Sequence, residues 1–410
     1  MAESFQAPRG THDVLPDDAN WWGLVARMEE TLRRYGWRRI QTPGFEDTGL
    51  FARTSGDASD VVHKEMYTFE DRGERSLTLR PEGTAPIARA YLEHGLHREA
   101  QPVKAYTIAP MYRYSRPGRG RYREHYQVSV EAIGSAEPAI DAEVIEVYTE
   151  ILRQAGVTRW ELHVNSIGDA ACRPAYVAKL NDWLDAHIDL LGEEAQHKRA
   201  TSPLQVFDVK DPALRAALDD APKIGDSLCD ECSAHFAAVR ERLDRLGVPY
   251  VLDAALVRGL DYYTRTTFEF MGPDENANSV ICGGGRYDGL VAQIGGPATP
   301  GIGFGAGIER LLLALENENV ALASAPIDVF VVVDGAEPAS AHALLQELRR
   351  SGLAADMDFA ARSVKGQLTQ AARTGAATLV VLRAADAVIR RAGAPDETVG
   401  VAEVVATLRP

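Results

Sequence analysis

The segment with the clearest chemical potential is YRYSRPGRGRYREHYQVSVE, residues 112–131. Its first half is rich in arginine and has no acidic residue: the arginines are Arg113, Arg116, Arg119, Arg121 and Arg123. A guanidinium group offers parallel donors to phosphate oxygens and does not deprotonate in proteins, so the segment suits binding of a triphosphate. A solvated basic hairpin is an equally ordinary interpretation, and the arginines alone leave both open.

The rest of this segment predicts a polar surface on a strand. Residues 103–114 and 125–133 have the composition of two strands, and the Arg- and Gly-rich stretch 115–124 would be the turn between them. Successive side chains of a strand point to opposite faces, so Gln127, Ser129 and Glu131 share one face. We therefore expect these side chains to form the floor of a polar pocket.

A second candidate segment is GIGFGAGIERLLLAL, residues 301–315. Glycines alternate along its first half, so one face of the predicted strand has no side chains, and a planar ring could lie against it. Arg310 follows in the first turn of a predicted helix, where the guanidinium and the helix N-terminus would both favour phosphate. Close packing of two sheets is the alternative explanation for the glycines.

A third candidate comprises LVRGLDYYTRTTFEF, residues 256–270, and CGGGRYDGLV, residues 282–291. Arg258 stands before a Gly-containing bend, where a permanent cation could meet a substrate. Two tyrosines follow, and strand alternation predicts that only one of Tyr262 and Tyr263 faces a given pocket. Both could also be ordinary core tyrosines.

The basic segment is conspicuous because the 410-residue chain has a net charge of −15. This charge argues mildly against a nucleic-acid partner, but recognition depends on local patches. No stretch approaches the roughly 20 apolar residues of a membrane span, and the first residues lack a secretion-signal pattern. Four cysteines do not make a disulfide framework, so we expect a cytoplasmic protein with no membrane partner.

The arrangement of elements predicts two domains. Residues 1–326 alternate strands and helices, with an amphipathic helix at 17–35, a strand at 37–42, and a mainly helical insertion at about 170–248. Strand character returns at 250–256, 264–271 and 279–282. The polar segment 316–326 is a linker candidate. Residues 327–410 then alternate strand and helix, which predicts a separate α/β domain with a parallel-type sheet.

Taken together, these motifs resemble the histidyl-tRNA synthetase family of class II aminoacyl-tRNA synthetases. The resemblance also includes APRGTHDVLP near the start and KEMYTFEDRGERSLTLRPEGTAP at 64–86, with all motifs in the family's order. It implies an α+β fold: an antiparallel-sheet catalytic domain with a helical insertion, followed by a C-terminal α/β anticodon-binding domain. It also implies a histidine–tRNA ligase that uses ATP with Mg²⁺, L-histidine and tRNA(His), and that works as a homodimer.

The resemblance assigns roles to individual residues. For histidine, the implied ligands are Glu82, Gly83, Thr84, Arg113, Gln127, Glu131, Arg258, Tyr262 and Tyr263; within this set, Glu82, Thr84 and Gln127 would hold the α-amino group, and Glu131 and Tyr263 the two imidazole nitrogens. For ATP, they are Arg113, Arg121 and Arg310. The catalytic residues would be Arg113 and Arg258, and Arg116 would contact tRNA. We further expect dimerisation through residues 17–43, because a helix with two tryptophans offers more apolar surface than a peripheral helix needs.

Two positions depart from the family pattern. Ser115 stands where an acidic residue usually contacts the adenine amino group, and His125 stands where a phenylalanine usually stacks on adenine. Adenine binding is therefore expected to be weaker or differently arranged. Neither position belongs to the phosphate or histidine contacts implied above.

The pair Cys229-x-x-Cys232 raises the question of a metal site. Zinc takes four ligands, and the remaining cysteines, Cys172 and Cys282, belong to other segments of the sequence. We therefore expect an unligated helix terminus there and no metal bound by protein side chains. The alternative to an enzyme is a catalytically inactive, synthetase-like regulatory subunit of histidine biosynthesis. Such proteins typically lack the C-terminal domain and the intact RGLDYY motif that this chain has.

Overall fold

The computed structural model describes residues 5–55, 64–260, 262–273, 280–322 and 327–409. The chain divides into two compact units, Met1–Leu322 and Ala323–Pro410. This division falls within the segment 316–326 that the sequence predicts to be a linker. Residues 323–326 of that segment, Asp261 of the RGLDYY motif and Ser279 of a predicted strand lie outside the described residues.

The first unit consists of a large sheet, a small sheet and the helices around them. Its helices are α1 (Ala19–Arg34), α2 (Thr48–Ser55), α3 (Thr84–Glu93), α4 (Pro138–Ala155), α5 (Arg173–Ala186), α6 (Glu193–Thr201), α7 (Pro212–Leu218), α8 (Asp230–Leu246), α9 (Leu290–Gln293) and α10 (Ile308–Asn317). Its strands are β1 (Arg38–Arg39), β2 (Phe45–Asp47), β3 (Tyr67–Glu70), β4 (Ser76–Leu79), β5 (Val103–Tyr112), β6 (Glu124–Ile133), β7 (Glu161–Ser166), β8 (Val251–Leu252), β9 (Thr264–Met271), β10 (Val280–Arg286) and β11 (Gly301–Gly307).

The large sheet has the strand order β1-β5-β6-β11-β10-β9-β7-β8. It is antiparallel except at its edges, where β1 pairs with β5 and β7 with β8 in parallel. The hairpin predicted from the arginine-rich segment is confirmed as the pair β5 and β6. The predicted strand at 250–256 is reduced to two residues, whereas β10 extends beyond its prediction through three glycines.

The main core lies between this sheet and the helices α1 and α4. Trp21, Leu24 and Met28 of α1 are no more than 6% exposed and pack in this core, whereas Trp22 remains 48% exposed. The physical reason given for dimerisation through α1 is therefore wrong, since the chain's own core covers most of its apolar face. Of the two tryptophans, only Trp22 is exposed enough to contact a second chain.

The insertion at 170–248 is helical, as predicted, and contains α5 to α8 together with short 3₁₀ turns. It has a core of its own, which includes Tyr176, Leu180, Val206 and Leu214. The small sheet, with order β2-β4-β3, was not predicted. Its strands are only three or four residues long and mostly exposed, so they carry little hydrophobic pattern.

The second unit is a five-stranded sheet covered by helices. Its elements are β12 (Val329–Val333), α11 (Pro338–Arg350), β13 (Ala355–Met357), α12 (Val364–Thr374), β14 (Thr378–Leu382), β15 (Asp386–Arg391), β16 (Glu397–Gly400) and α13 (Val404–Leu408). The parallel-type sheet is confirmed for β13-β12-β14, but β15 and β16 add antiparallel pairs. The sheet is therefore mixed, and the fold class of the whole chain is α+β.

Within the described ranges, we find no helix that combines the length and the apolar character needed to cross a membrane.

Candidate functional site

A cavity of about 360 Å³ opens on the large sheet and collects the predicted side chains. The predicted residues that line it are Glu82, Thr84, Arg113, Arg121, Gln127, Arg258, Tyr262, Tyr263 and Arg310. They come from the start of α3, the hairpin β5–β6, the loop before β9 and the first turn of α10. The three candidate segments of the sequence and the motif at 64–86 thus contribute to one site.

Four guanidinium groups surround this cavity. Arg113 follows β5, and its Nε donates to the carbonyl oxygen of Pro81 at 2.8 Å. Arg121 lies in the hairpin loop and pairs with Glu65 at 2.9 Å. Arg310 donates through Nη1 to the carbonyl oxygen of Val280 at 2.6 Å. Backbone carbonyls thus fix Arg113 and Arg310 without neutralising their charge.

The electrostatics of Arg310 show how positive this cavity is. Burial lowers the pKa of the Arg310 guanidinium, and the nearby charges of Arg113, Arg121 and Arg258 lower it further. Like charges held together in a partly desolvated cavity repel one another. A polyanion such as a triphosphate would relieve this repulsion, so the geometry favours the phosphate-binding interpretation over a solvated basic hairpin.

Arg258 has a partner that the sequence analysis missed. Its Nη1 pairs with a carboxylate oxygen of Glu269 on β9, and both side chains are less than one fifth exposed. The guanidinium carbon also lies 5.7 Å from the centre of the Tyr263 ring. Gly283 on β10 leaves the space that Arg258 fills. Glu269 belongs to the segment 256–270 quoted above, but its ion pair with Arg258 becomes evident only in the folded chain.

Glu131, expected on the floor of the pocket, is fully buried beside the lining residue Thr84 and is not itself among the residues that line the cavity. Its Oε1 accepts a hydrogen bond from Thr84 Oγ1 at 2.7 Å, and its Oε2 accepts one from Tyr287 OH at 2.6 Å. Burial raises the pKa of Glu131 to about 8, although these two hydrogen bonds lower it. A carboxyl group that titrates near neutral pH can either accept or donate a hydrogen bond, as an imidazole can. Tyr287 was not predicted to take part.

The glycines of β11 allow the neighbouring strand to approach closely. A Cβ atom at Gly303 would lie 2.6 Å from Cδ of Glu131, and one at Gly305 would lie 2.6 Å from Nε2 of Gln127. At Gly303, Glu131 thus leaves no room for the predicted ring. Gly305 and Gly307 line the cavity, and a ring lying against them stays a prediction.

Of the residues expected around the substrate amino group, Glu82 and Thr84 lie at the start of α3 and Gln127 lies on β6. Glu82 accepts the backbone N–H groups of Thr84 at 2.6 Å and Ala85 at 2.8 Å, so it also caps this helix. Gln127 donates to Ser129 Oγ at 2.8 Å. Gly83 does not line the cavity, but a side chain there would collide with Ser129.

The expectation that only one of the two tyrosines faces the pocket is wrong. Both Tyr262 and Tyr263 line the cavity, and their ring centres are 4.6 Å apart. They precede β9, which begins at Thr264, so the alternation of a regular strand does not apply to them. Burial raises the pKa of both hydroxyl groups, which keeps them protonated as donors.

The two positions that depart from the family pattern also line the cavity. Ser115 is 7% exposed. Burial lowers the pKa of His125 to about 3, and the charges of Arg113 and Arg310 lower it further. His125 is therefore neutral at physiological pH, and its imidazole presents an uncharged flat surface.

Several lining residues had no counterpart in the sequence analysis. Glu65 and Glu309 supply carboxylates, and Lys210 reaches the cavity from the helical insertion. Burial raises the pKa of Glu309 to about 7. Lys210 carries no signal in the sequence, since it lies in a polar stretch far from every motif. By contrast, Arg116 is exposed on the hairpin loop and is not among the lining residues.

Outside this cavity, the described residues contain one group of side chains that could hold a metal ion: Asp169, Cys172, Cys229 and Cys232. The sequence analysis separated Cys172 from the Cys229-x-x-Cys232 pair because the segments are far apart in the chain. The fold brings the sulfur atoms of Cys172 and Cys232 within 3.9 Å of each other. That separation was therefore no argument against a shared site.

An antiparallel sheet with this cavity, with arginines from a long hairpin and from a strand–helix junction, is the arrangement expected of class II aminoacyl-tRNA synthetases. A family model described as histidyl-tRNA synthetase matches residues 10–311. The chain belongs to the histidyl-tRNA synthetase family, and it is an aminoacyl-tRNA ligase.

Individual relatives agree with this assignment over almost the whole chain. The histidine–tRNA ligase of Moorella thermoacetica is 49% identical over 92% of this chain and 89% of its own length. That of Desulforudis audaxviator is 46% identical over 98% of both chains. The apo crystal structure of the Staphylococcus aureus histidyl-tRNA synthetase is 37% identical, has a TM-score of 0.81, and is matched over 99% of this chain and 100% of its own.

Proposed function

We propose that this ligase activates L-histidine with Mg²⁺-bound ATP in the cavity described above and transfers the histidyl group to the 3′ end of tRNA(His). The observation that carries the proposal is the meeting of four guanidinium groups with Tyr263 around one cavity, next to the buried Glu131, which accepts a hydrogen bond from the lining residue Thr84. The guanidinium groups suit a triphosphate, and Glu131 and Tyr263 suit a small polar ring.

In the first step, a carboxylate oxygen of histidine attacks the α-phosphorus of ATP. The new bond joins that oxygen to phosphorus, and the bond to the bridging oxygen breaks, so that pyrophosphate leaves with its electron pair. No proton is transferred, so no general base is needed. Catalysis then depends on positioning the reactants and stabilising the charge that develops on the phosphoryl oxygens.

The four arginines divide this work according to their positions. We assign Arg113 and Arg258 to the histidine carboxylate and the α-phosphate, and Arg121 and Arg310 to the β- and γ-phosphates. Arg258 is paired with Glu269 before substrates bind. Two substrate anions would compete with that carboxylate for the guanidinium. Mg²⁺ enters as part of the substrate, and Glu65 and Glu309 provide carboxylate oxygens of the kind it prefers along the same cavity.

Selection of histidine rests on two polar contacts to the imidazole ring. We assign Glu131 to one ring nitrogen and Tyr263 to the other, while Glu82, Thr84 and Gln127 hold the α-amino group. Gly83 leaves room for this arrangement, and Tyr262 packs against Tyr263. A site that hydrogen-bonds both nitrogens strongly rejects analogues that lack them, because its own buried polar groups are then left unpaired.

Adenine is assigned to the region of Ser115 and His125. Neutral His125 can stack on the base through its flat face, as a phenylalanine would. Ser115 replaces a charged acceptor with a hydroxyl group, which weakens one contact to the adenine amino group. We therefore expect a higher KM for ATP than in relatives with the usual pair, and no loss of phosphate binding.

We assign tRNA recognition to exposed residues outside the cavity. We assign Arg116, which is exposed on the hairpin loop, to contact with the tRNA, and the second unit to binding of the anticodon. On that unit, Phe359 is 65% exposed beside Arg349 and Arg350, which together suit stacking and phosphate contact with a single-stranded base. The region 327–410 has nine Lys or Arg against ten Asp or Glu, so few phosphate contacts and a shallow salt dependence are expected.

We also propose a cytoplasmic homodimer. The four cysteines are all unpaired, which suits a reducing compartment. Exposed aromatic side chains at Trp22, Phe45 and Phe69 offer apolar surface to a second copy. Sedimentation velocity tests the dimer, and a stable active monomer would contradict it.

The experiment for the proposed function measures both half-reactions on the full chain. Histidine should support exchange of labelled pyrophosphate into ATP, and tRNA(His) should then accept labelled histidine. A regulatory subunit would bind histidine without exchange. A shortened chain ending at residue 322 should retain exchange and lose charging; loss of both would mean that the second unit supports the catalytic fold.

A further inference from the structure

The helical insertion is joined to the large sheet through a group of three thiols and one carboxylate. Asp169 and Cys172 lie between β7 and α5, where the chain enters the insertion. Cys229 and Cys232 lie at the beginning of α8, the last helix of the insertion. Two segments that are about sixty residues apart in sequence, at opposite ends of the insertion, thus meet at one point.

The distances within this group fit a tetrahedral metal site. Each residue offers one ligand atom, and the four atoms lie within 4.8 Å of one another. The sulfur atoms of Cys172 and Cys232 are 3.9 Å apart, and Cys172 Sγ is 3.7 Å from Asp169 Oδ1. A zinc ion with zinc–sulfur bonds of about 2.3 Å at tetrahedral angles holds its sulfur atoms about 3.8 Å apart.

The surroundings orient the carboxylate as second-sphere contacts do in known metal sites. Oδ2 of Asp169 accepts from Arg265 Nε at 3.2 Å and Nη2 at 3.1 Å. Oδ1 accepts from the backbone N–H of Ala171 at 3.0 Å and, on the side of the thiols, from Cys172 Sγ at 3.7 Å. One oxygen is thus held by the protein, and the other faces the thiols.

The backbone is shaped to bring the sulfur close. Gly168 has φ +62°, a left-handed conformation, and a Cβ atom there would lie 2.5 Å from Cys172 Sγ. Any other residue would be strained and would push the sulfur away. The close approach of Cys172 to the other ligands therefore depends on this glycine.

We propose that Asp169, Cys172, Cys229 and Cys232 bind one Zn²⁺ ion per chain and that this ion fastens the two ends of the insertion to the large sheet. Thiolate ligands favour zinc over magnesium or calcium, and four protein ligands leave no open position, as in structural zinc sites. A disulfide would involve only two of the three thiols and would not explain why the third thiol and Asp169 lie in the same group. The proposal is independent of the enzymatic activity.

The ion would also stabilise one wall of the catalytic cavity. The backbone N–H of Arg265 donates to the carbonyl oxygen of Gly168 at 2.7 Å, and Ile167 N–H donates to the carbonyl oxygen of Arg265 at 2.8 Å. Arg173, next to Cys172, donates to the carbonyl oxygen of Tyr263. Movement at the metal site would therefore reach Tyr263, which we assign to the imidazole.

The test uses the full chain, purified without a metal-binding tag, and measures bound metals by plasma mass spectrometry. About one zinc per chain is expected, and Cys172→Ser or Cys232→Ser should lower this to below about 0.1. Cys282→Ala is the matched control for metal content, because Cys282 is equally buried but is not part of the group. Chelation should lower the melting temperature of the wild-type protein and not that of the Cys172→Ser variant.

A second readout does not depend on any variant folding. Cobalt(II) exchanged into the wild-type protein should give the thiolate charge-transfer absorption and the strong visible bands of a tetrahedral site. The proposal is overturned if the wild-type protein carries no zinc and binds no cobalt in this form. It is also overturned if intact-mass analysis finds a disulfide among these cysteines, or if another transition metal occupies the group in preference to zinc.

Discussion

The variant Gly303→Ala tests how the site is built, because it changes no residue assigned to a substrate. The added Cβ atom would lie 1.9 Å from Oε2 and 2.6 Å from Cδ of Glu131, and 2.4 Å from the carbonyl oxygen of Val130. Carbon atoms in contact lie about 3.5–4.0 Å apart, so the Glu131 carboxyl must move by at least about 1 Å and the backbone of β6 must also shift. Glu131 is fully buried and held by Thr84 and Tyr287, so this movement breaks at least one of its hydrogen bonds.

The expected effect follows from that displacement. A shift of about 1 Å in a positioned group can cost about 100-fold in rate, and leaving a buried polar group without its hydrogen bond costs about 1–3 kcal/mol. We therefore expect kcat/KM for histidine to fall by about 10- to 100-fold, whereas KM for ATP changes little. Overpacking should also lower the free energy of unfolding by about 1–3 kcal/mol.

The assay is pyrophosphate exchange at varied histidine and at varied ATP, together with urea unfolding. Gly44→Ala is the matched control, since a Cβ atom there would meet nothing within 4 Å. Glu131→Gln keeps the shape of the side chain and should reproduce the loss for histidine without the steric effect. A Gly303→Ala enzyme with a normal kcat/KM for histidine would refute the role given to Glu131.

Three further predictions concern charge. Arg258→Ala should lower the rate of adenylate formation by at least about 100-fold, and pyrophosphate exchange near the wild-type rate would show that the assignment is wrong. Arg286 and Asp141 form a fully buried ion pair at 2.9 Å, so Arg286→Met should destabilise the fold by about 3–5 kcal/mol in urea unfolding; a loss below about 1 kcal/mol would contradict this. The pKa of Glu131 is about 8 in the folded protein, against a reference value of 4.5, so between these two pH values the folded state keeps a proton that the unfolded state loses. The free energy of unfolding of the unliganded protein should therefore fall as the pH rises from 4.5 to about 8, by up to about 1.4 kcal/mol per pH unit. Glu131→Gln should remove that part of the slope, and equal slopes for both proteins would count against a raised pKa.

The parts of the site that lie within one motif could be predicted from the sequence. Strand alternation correctly placed Gln127, Ser129 and Glu131 on one face, and the hairpin β5–β6 was predicted almost to the residue. Local periodicity is enough for such features because it depends only on neighbours in the chain. In the second unit, the same periodicity found the buried strands of 327–382.

Other parts depend on contacts that the sequence does not display. The partner of Arg258 is Glu269, which only the fold brings into contact with it, and Tyr287 reaches Glu131 from just beyond the end of β10. Glycines in a strand indicate a close approach but not what approaches, so the side chains over β11 could not be foreseen. The hairpin β15–β16 was missed because β15 (DAVIRR) has only three consecutive apolar residues between charged ones, and the edge strand β16 (ETVG) is four residues long and not buried.

The meeting of Cys172 with Cys229 and Cys232 illustrates the same limit. A zinc motif is recognisable in a sequence when its ligands come in two closely spaced pairs. Here one pair is Cys229-x-x-Cys232, and the other is Asp169-x-x-Cys172, in which a carboxylate stands in place of a thiol. Both pairs have the same spacing, but the sequence does not show a four-cysteine zinc motif because an aspartate replaces one cysteine.

The most direct test of the account is a crystal structure of the protein with a non-hydrolysable analogue of histidyl-adenylate. The account predicts that one imidazole nitrogen lies within hydrogen-bond distance of Glu131 and the other within that distance of Tyr263, at about 2.7–3.2 Å. The phosphoryl group should lie between Arg113 and Arg258, with the Glu269 contact to Arg258 lengthened or lost. An analogue bound with its imidazole away from Glu131 and Tyr263, or with its phosphoryl group away from both arginines, would contradict it.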